Sequence, residues 1–197
     1  MFRNFQLTLT PECGEFVKKE YKKAKLIVEY GSGGSTFLAA ALSGKKVLSV
    51  ESDIKWLMEL MSAYKEQDLK GDIVPLWADI GETKEFGYPA DESKYKDWPN
   101  YAKLPFLFCR EHKLSPDLAL IDGRFRVACF LACCAYTKTN MKILFDDYAV
   151  RKRYHVVERI CKPSAIIGDR MAVFDIKPKM VNSDFLADHY HYFYRPQ

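Results

Sequence analysis

Leu26–Tyr30 is a short apolar run, Leu-Ile-Val-Glu-Tyr, that ends directly on Gly31-Ser32-Gly33-Gly34-Ser35. Few features restrict a fold more. A strand that turns through glycines into a helix lets backbone approach a bound group closely, with helix amides facing it. In open α/β sheets such junctions sit at the carboxyl edge of parallel strands. The remaining sequence has to supply that sheet.

It does so by alternation. Thr10-Pro11-Glu12 reads as a helix start, a hydroxyl cap followed by proline and an acid in the first turn. After the glycine loop, residues 36–43 read as helix with Gly44 as the stop, and 46–50 as a second strand. Ile54, Leu57, Met58, Met61 and Tyr64 recur at helical spacing within 53–67. Residues 73–78, 118–121 and 142–145 are further strands. Strands alternating with helices predict a parallel sheet covered on both faces. Near the end, 164–167 and 171–176 are separated only by Gly168-Asp169-Arg170, too few residues for a crossover, so these two strands must be antiparallel. The expected fold is a three-layer Rossmann-like sandwich, a mostly parallel seven-stranded sheet ending in an antiparallel hairpin. Residues 81–115 carry no clear periodicity and are rich in Pro, Tyr, Phe and Trp. They read as an insertion, a lid or acceptor-binding loop, in one domain spanning 1–197.

Composition narrows the class. A chain of 197 residues with 48% apolar and 28% charged residues suits one globular α/β domain. A net charge of +4 without a separate basic module argues against nucleic acid as partner. No apolar run is long enough to span a membrane, and residues 1–10 mix Arg3, Asn4 and Gln6 among their apolar positions, so a cytoplasmic location is expected. The six cysteines form no Cys-x-x-Cys pair, and Cys129, Cys133 and Cys134 read as small core residues of an apolar helix.

Acids follow the strands in a pattern. Glu51 ends the second strand about 20 residues beyond the loop, where a carboxylate can accept two ribose hydroxyls. Asp79 follows the third, where it can accept from an adenine amino group. Val28–Ser35, Ser49–Asp53, Ala78-Asp79-Ile80 and Leu120-Ile121-Asp122-Gly123 together resemble the four motifs of class I S-adenosylmethionine-dependent methyltransferases. Ser35 replaces the last glycine of that family's acid-x-Gly-x-Gly-x-Gly loop. The resemblance runs from about Leu26 to Ile176 and includes the terminal hairpin. It implies S-adenosylmethionine as cofactor. Glu29 would contact its methionine amino end, and Gly31 and Gly33 its close backbone approach. Glu51 would hold its ribose, and Asp79 with Ile80 its adenine; Ser32, Ser35, Ser52 and Asp122 would complete the site. The rival cofactor is NAD, which uses a similar loop and acid; the hairpin and the acids after the fourth and fifth strands speak against it.

The carboxyl ends of the strands also gather Asp122, Asp146, Asp147 and Tyr148. Three converging carboxylates need a cation or a proton. Asp122 with Asp146-Asp147 resembles the metal site of catechol-type and macrocin-type O-methyltransferases, implying Mg²⁺ on Asp122, Asp146 and Asp147, with Asp122 and Asp146 also catalytic. One departure stands out. Where catechol-type enzymes carry a basic lysine, this chain has Phe125 between Arg124 and Arg126. Arginine does not act as a base, which leaves Asp122 and His155 as candidates. Arg124, Arg126, Arg151, Lys152 and Arg153 cluster in the same stretches, either as a solvated face or to recognise an acidic acceptor. The expected activity is methylation of a small, possibly acidic acceptor, at oxygen. A methyltransferase-like binder without turnover is the alternative, and a homo-oligomer is compatible with either.

Overall fold

A computed structural model describes residues 5–197. Arg3 and Asn4, part of the reading of the first ten residues, lie outside the described residues. Helix α1 is Pro11–Lys23, β1 Leu26–Tyr30, α2 Gly34–Ala40, β2 Lys46–Glu51, α3 Ile54–Lys65 and β3 Asp72–Trp77. The two-residue strands β4 (Thr83–Lys84) and β5 (Tyr88–Pro89) follow, then α4 Pro99–Glu111, β6 Leu118–Ile121, α5 Arg126–Tyr136 and β7 Met141–Phe145. A 3-10 helix at Lys152–Arg159, strands β8 (Ala165–Ile167) and β9 (Met171–Ile176), and helix α6 (Ser183–His189) complete the chain with a last 3-10 turn at Tyr190–Tyr194.

Seven strands form one sheet in the order β3-β2-β1-β6-β7-β9-β8. The first five are parallel, whereas β9 pairs antiparallel with both β7 and β8. Strands covered on both faces need unbroken apolar runs, and every residue of β1 and β6 is buried. Pro75 is tolerated because β3 is an edge strand paired only with β2. At the other edge, Gly168 (φ +56°) and Asp169 (φ +49°) make the left-handed turn that a tight hairpin requires. One core cluster lies on the face covered by α4 and α5, the other on the face covered by α1 and α2. Among the described residues no helix is long and apolar enough to cross a membrane.

The caps behave as their residues dictate. Thr10 accepts from the Cys13 amide at 3.4 Å, and Asp53 accepts from Lys55 and Trp56 at 2.9 and 3.1 Å. All six cysteines are unpaired, and Cys129, Cys133 and Cys134 pack inside α5.

The insertion is only half what its composition suggests. Residues 99–111 form α4, which buries Tyr101, Ala102, Pro105, Phe106 and Cys109 and so is an ordinary crossover helix. Two prolines hide it in the sequence. Pro99 sits at the helix start, where it is harmless, but Pro105 lies inside, where it removes a backbone donor. The Tyr30 hydroxyl donates to the Ala102 carbonyl at 2.7 Å and anchors α4 on the sheet. What remains of the insertion is the strap at 81–98.

The topological switch falls between β1 and β6, and two glycines meet there. Gly31 has φ +95°, and a Cβ on it would lie 2.9 Å from the Cα and N of Gly123. The strand ends can approach this closely only if both residues lack side chains. Gly31→Ala is therefore expected to destabilise the fold by about 2–4 kcal/mol, combining left-handed strain with a backbone clash. Chemical denaturation tests it; a midpoint within error of the unsubstituted protein would show that the contact relaxes freely.

Candidate functional site

The loop after β1 is held from two sides. Beneath it, Glu29 is fully buried. Its Oε1 accepts from the Tyr21 hydroxyl at 3.2 Å, and its Oε2 from Thr36 and Ser49 at 2.5 and 3.0 Å. Thr36 in turn accepts from the Gly33 amide at 2.9 Å, so Glu29 shapes the loop through that hydroxyl. Burial pushes the Glu29 carboxyl up, and the hydroxyls of Ser35, Thr36, Ser49 and Tyr21 pull it back. Both oxygens of Glu29, the residue expected at a methionine amino group, are turned inward onto hydroxyls in this structure.

From the other side, Glu51 reaches across from the end of β2. Its Oε2 accepts from the Ser32 amide at 3.2 Å. Its Oε1 accepts from the Ser52 amide, the Asp53 amide and the Ser52 hydroxyl at 2.7, 3.0 and 3.2 Å. Burial raises this carboxyl too, and the amides of Asp53, Ser52 and Ser32 oppose the rise. Ser32 is pinned further: its carbonyl accepts from the Trp56 indole at 2.7 Å, and its hydroxyl shares a 2.7 Å bond with Ser49. Gly33 differs from its neighbours. Among the described residues nothing lies within 4 Å of a Cβ placed there, whereas a Cβ on Gly34 would strike the backbone of Gln6 and Leu7.

The strap lies over these acids. The Ser52 hydroxyl donates to the Gly87 carbonyl at 3.0 Å, and a Cβ on Gly87 would lie 2.7 Å from that hydroxyl and 3.3 Å from Glu51 Oε1. Asp79, partly exposed, is paired with Lys94, which lowers its carboxyl, and accepts from the Gly81 amide at 3.2 Å. Ile80 is buried, its carbonyl taken by the Trp98 indole at 3.1 Å. Of the strap's aromatics, Trp98 is core, Phe86 and Tyr95 are exposed, and Tyr88 stacks under Arg124. Lys94 and Gly87 were not foreseen from sequence, because nothing in a loop without periodicity says which residues fold back onto it.

The three aspartates converge as their strand positions predict, but the cations are guanidinium groups. Arg126, 3% exposed, donates to the carbonyls of Gly123, Asp122 and Asp146 at 3.0, 2.8 and 2.7 Å. It also pairs with Asp122 Oδ1 at 3.0 Å and Asp147 Oδ2 at 3.2 Å. Arg170 grips both oxygens of Asp146, at 2.8 and 2.6 Å, and reaches Asp147 at 3.2 Å. Arg151 pairs with Asp147 at 2.8 Å. Three carboxylates thus face three arginines. Among the described residues no group of His, Cys, Asp and Glu is arranged to hold a metal ion. The expected Mg²⁺ site on Asp122, Asp146 and Asp147 is corrected accordingly. Arg170 was missed because it reads as a turn residue, although a buried Asp146 beside the last hairpin demands such a partner.

The catalytic candidates separate. Asp146 is fully buried and committed to Arg170, which makes it structural. His155 stacks on the Tyr148 ring and donates from Nε2 to the Tyr148 carbonyl at 3.2 Å, which ties it to the 3-10 segment and not to the aspartates. Tyr148 is itself buried, its hydroxyl on Glu158 at 2.9 Å. Only Asp122 keeps a side chain about a fifth exposed, with one oxygen on Arg126. Burial, offset by Arg126 and reinforced by Asp146 and Asp147, pushes its carboxyl up to about 7.

No family model matches this sequence, and no curated protein matches it. Solved structures do. A methyltransferase-like protein from Silicibacter pomeroyi DSS-3 is 35% identical, with a TM-score of 0.91 over 97% of this chain and 98% of its own. A methyltransferase from Geobacter sulfurreducens shares the fold at 13% identity, with a TM-score of 0.55 over 85% of this chain and 80% of its own. The chain belongs to the class I methyltransferase-like family.

The Asp122 carboxyl implies a pH signature. Its folded value lies above the ordinary ~3.9, so between the two the folded state binds more protons than the unfolded one. Its contribution to stability is full below about pH 4 and declines as pH rises to about 7. Asp122→Asn removes that decline. Its melting temperature, relative to the unsubstituted protein, is expected to climb between about pH 4 and pH 7 and to level off above. A flat or falling difference would show that Arg126 holds the carboxylate ionised throughout.

Proposed function

We propose that this chain is an S-adenosylmethionine-dependent methyltransferase that methylates a small-molecule acceptor at oxygen. The observation that carries the reading is the glycine turn after β1, open at Gly33 among the described residues, joined to the Glu51 carboxylate through the Ser32 amide. The donor set fits the cofactor: Glu51 Oε2 carries a single protein bond and retains acceptor capacity for a ribose hydroxyl. Gly31, Ser32, Gly33 and Ser35 would form the cradle, Glu51 and Ser52 the ribose end, and Asp79 and Ile80 the adenine end. Full engagement of Glu51 and Asp79 requires Gly87 and Lys94 to give way, which makes the strap the entry point.

When bound, the cofactor supplies the electrophilic methyl carbon. The remaining work belongs to the chain. The Gly31–Gly123 contact fixes the loop against the turn that carries Asp122, so cofactor cradle and base keep one geometry. A carboxyl raised to about 7 is partly ionised near neutral pH, and Asp122 can then accept the proton of an acceptor hydroxyl. Arg126 holds one oxygen of that carboxylate at 3.0 Å.

Calorimetry tests the reading. S-adenosylhomocysteine is expected to bind in the micromolar range and NAD not at all. Glu51→Ala should weaken binding by about 1–3 kcal/mol, the cost of hydroxyls left unpaired in a mostly buried site. Gly33→Ala should leave the melting temperature unchanged, since among the described residues nothing lies within 4 Å of its Cβ, yet lower the affinity. Binding of NAD without response to S-adenosylhomocysteine would overturn the assignment.

A further inference from the structure

Arg126, Arg151 and Arg170 are each paired with aspartates, but Arg124 is not. It is 8% exposed, and among the described residues no carboxylate pairs with it. Its Nε is buried without a hydrogen-bond partner. Its guanidinium lies 4.2 Å from the centroid of the Tyr88 ring, a contact that neutralises no charge. The backbone of Arg124 is fixed at both ends: its amide donates to the Tyr101 hydroxyl at 3.2 Å, and its carbonyl accepts from the Cys129 thiol at 3.4 Å. The backbone is thus anchored, and the side chain is mostly buried with its Nε desolvated and unsatisfied. A buried guanidinium without counter-ion is unfavourable in the protein alone. The same planar fork matches the two oxygens of a carboxylate or phosphate.

Its position supplies the function. Arg124 is two residues beyond Asp122, on the turn whose Gly123 meets Gly31. The charged groups packed nearby do not compete for a ligand, because Arg126 and Arg151 are already held by Asp122 and Asp147. Tyr88, which covers Arg124, belongs to the same strap whose Gly87 lies on Ser52 and Glu51.

We propose that Arg124 binds an oxyanion, a carboxylate or phosphate, carried by the acceptor, and so selects acidic acceptors whose hydroxyl lies at Asp122. The acceptor role rests on the methyltransferase reading; the oxyanion site does not. The test measures thermal stability in sodium phosphate and in sodium malonate, with and without saturating S-adenosylhomocysteine, against NaCl of equal ionic strength. The unsubstituted protein should be stabilised beyond NaCl, and the more effective anion identifies the class. Arg124→Met should weaken that anion by about tenfold or more while leaving S-adenosylhomocysteine affinity within about twofold. Arg124→Lys keeps the charge without the fork and should retain part of the response. Because Arg124→Met removes a buried uncompensated charge, its melting temperature in NaCl should equal or exceed that of the unsubstituted protein. An anion response that survives Arg124→Met, or no response to either anion, overturns the proposal. A tenfold loss of S-adenosylhomocysteine affinity overturns it as well, since Arg124 would then hold the cofactor's own carboxylate. If S-adenosylhomocysteine fails to bind while the anion response still depends on Arg124, the methyltransferase reading falls and the acceptor role with it, but the oxyanion site stands.

Discussion

Arg126 ties together the ends of β6 and β7, where the three aspartates of the candidate site converge. Its guanidinium bonds the carbonyls at the ends of β6 and β7 and two of the aspartates that follow them. Arg170 closes the arrangement from the β8–β9 turn through Asp146. Without these bonds, like charges at Asp122, Asp146 and Asp147 would repel, and the β7–β9 pairing would lose the tie beside its turn. A buried network of this kind is favourable only when every member is satisfied. Here the aspartates and their three arginines satisfy one another, and the one guanidinium left out lies on the same turn. Charge balance at this end of the sheet is therefore met among the aspartates and their arginines and left open at Arg124, where the proposed oxyanion would bind.

The glycine loop follows the same logic with neutral groups. Glu29 is buried among hydroxyls, which orient Thr36 and through it the Gly33 amide. Glu51 fixes Ser32 from the opposite side. Both carboxylates spend much of their bonding capacity on backbone and hydroxyl donors, so the loop is preorganised without a ligand. The strap completes the enclosure by placing Gly87 on Ser52 and Lys94 on Asp79. A site arranged this way exchanges protein hydrogen bonds for ligand hydrogen bonds, and its affinity reflects the difference between the two sets.

The sheet was legible because parallel strands buried on both faces leave uninterrupted apolar runs, and because three residues cannot hold a crossover between β8 and β9. The glycine loop after β1 was legible as a turn that lets backbone approach a ligand, but the contact that requires Gly31 and Gly123 together appears only in the fold. Helix α4 was not, since Pro105 interrupts its pattern while its buried face still follows helical spacing. The convergence of Asp122, Asp146 and Asp147 was visible from strand ends, but their counter-ions were not. Arg126 stands four residues past Asp122, and Arg170 sits in a turn distant in sequence, so only the fold shows that guanidinium groups occupy the place expected for Mg²⁺. His155 shows the converse. Its chemistry suggested a base, yet its partner, the Tyr148 carbonyl, is set by a local 3-10 turn.

On the proposed reading, the Gly33 cradle and Glu51 hold the cofactor on the same rigid frame as Asp122. A crystal structure grown with saturating S-adenosylhomocysteine tests it most directly. The ribose is expected on Glu51, the homocysteine sulfur on the Asp122 side of the Gly31–Gly123 contact, and Gly87 moved off Ser52. Ligand ordered elsewhere on the sheet, or a cradle unchanged and empty at saturation, would contradict it.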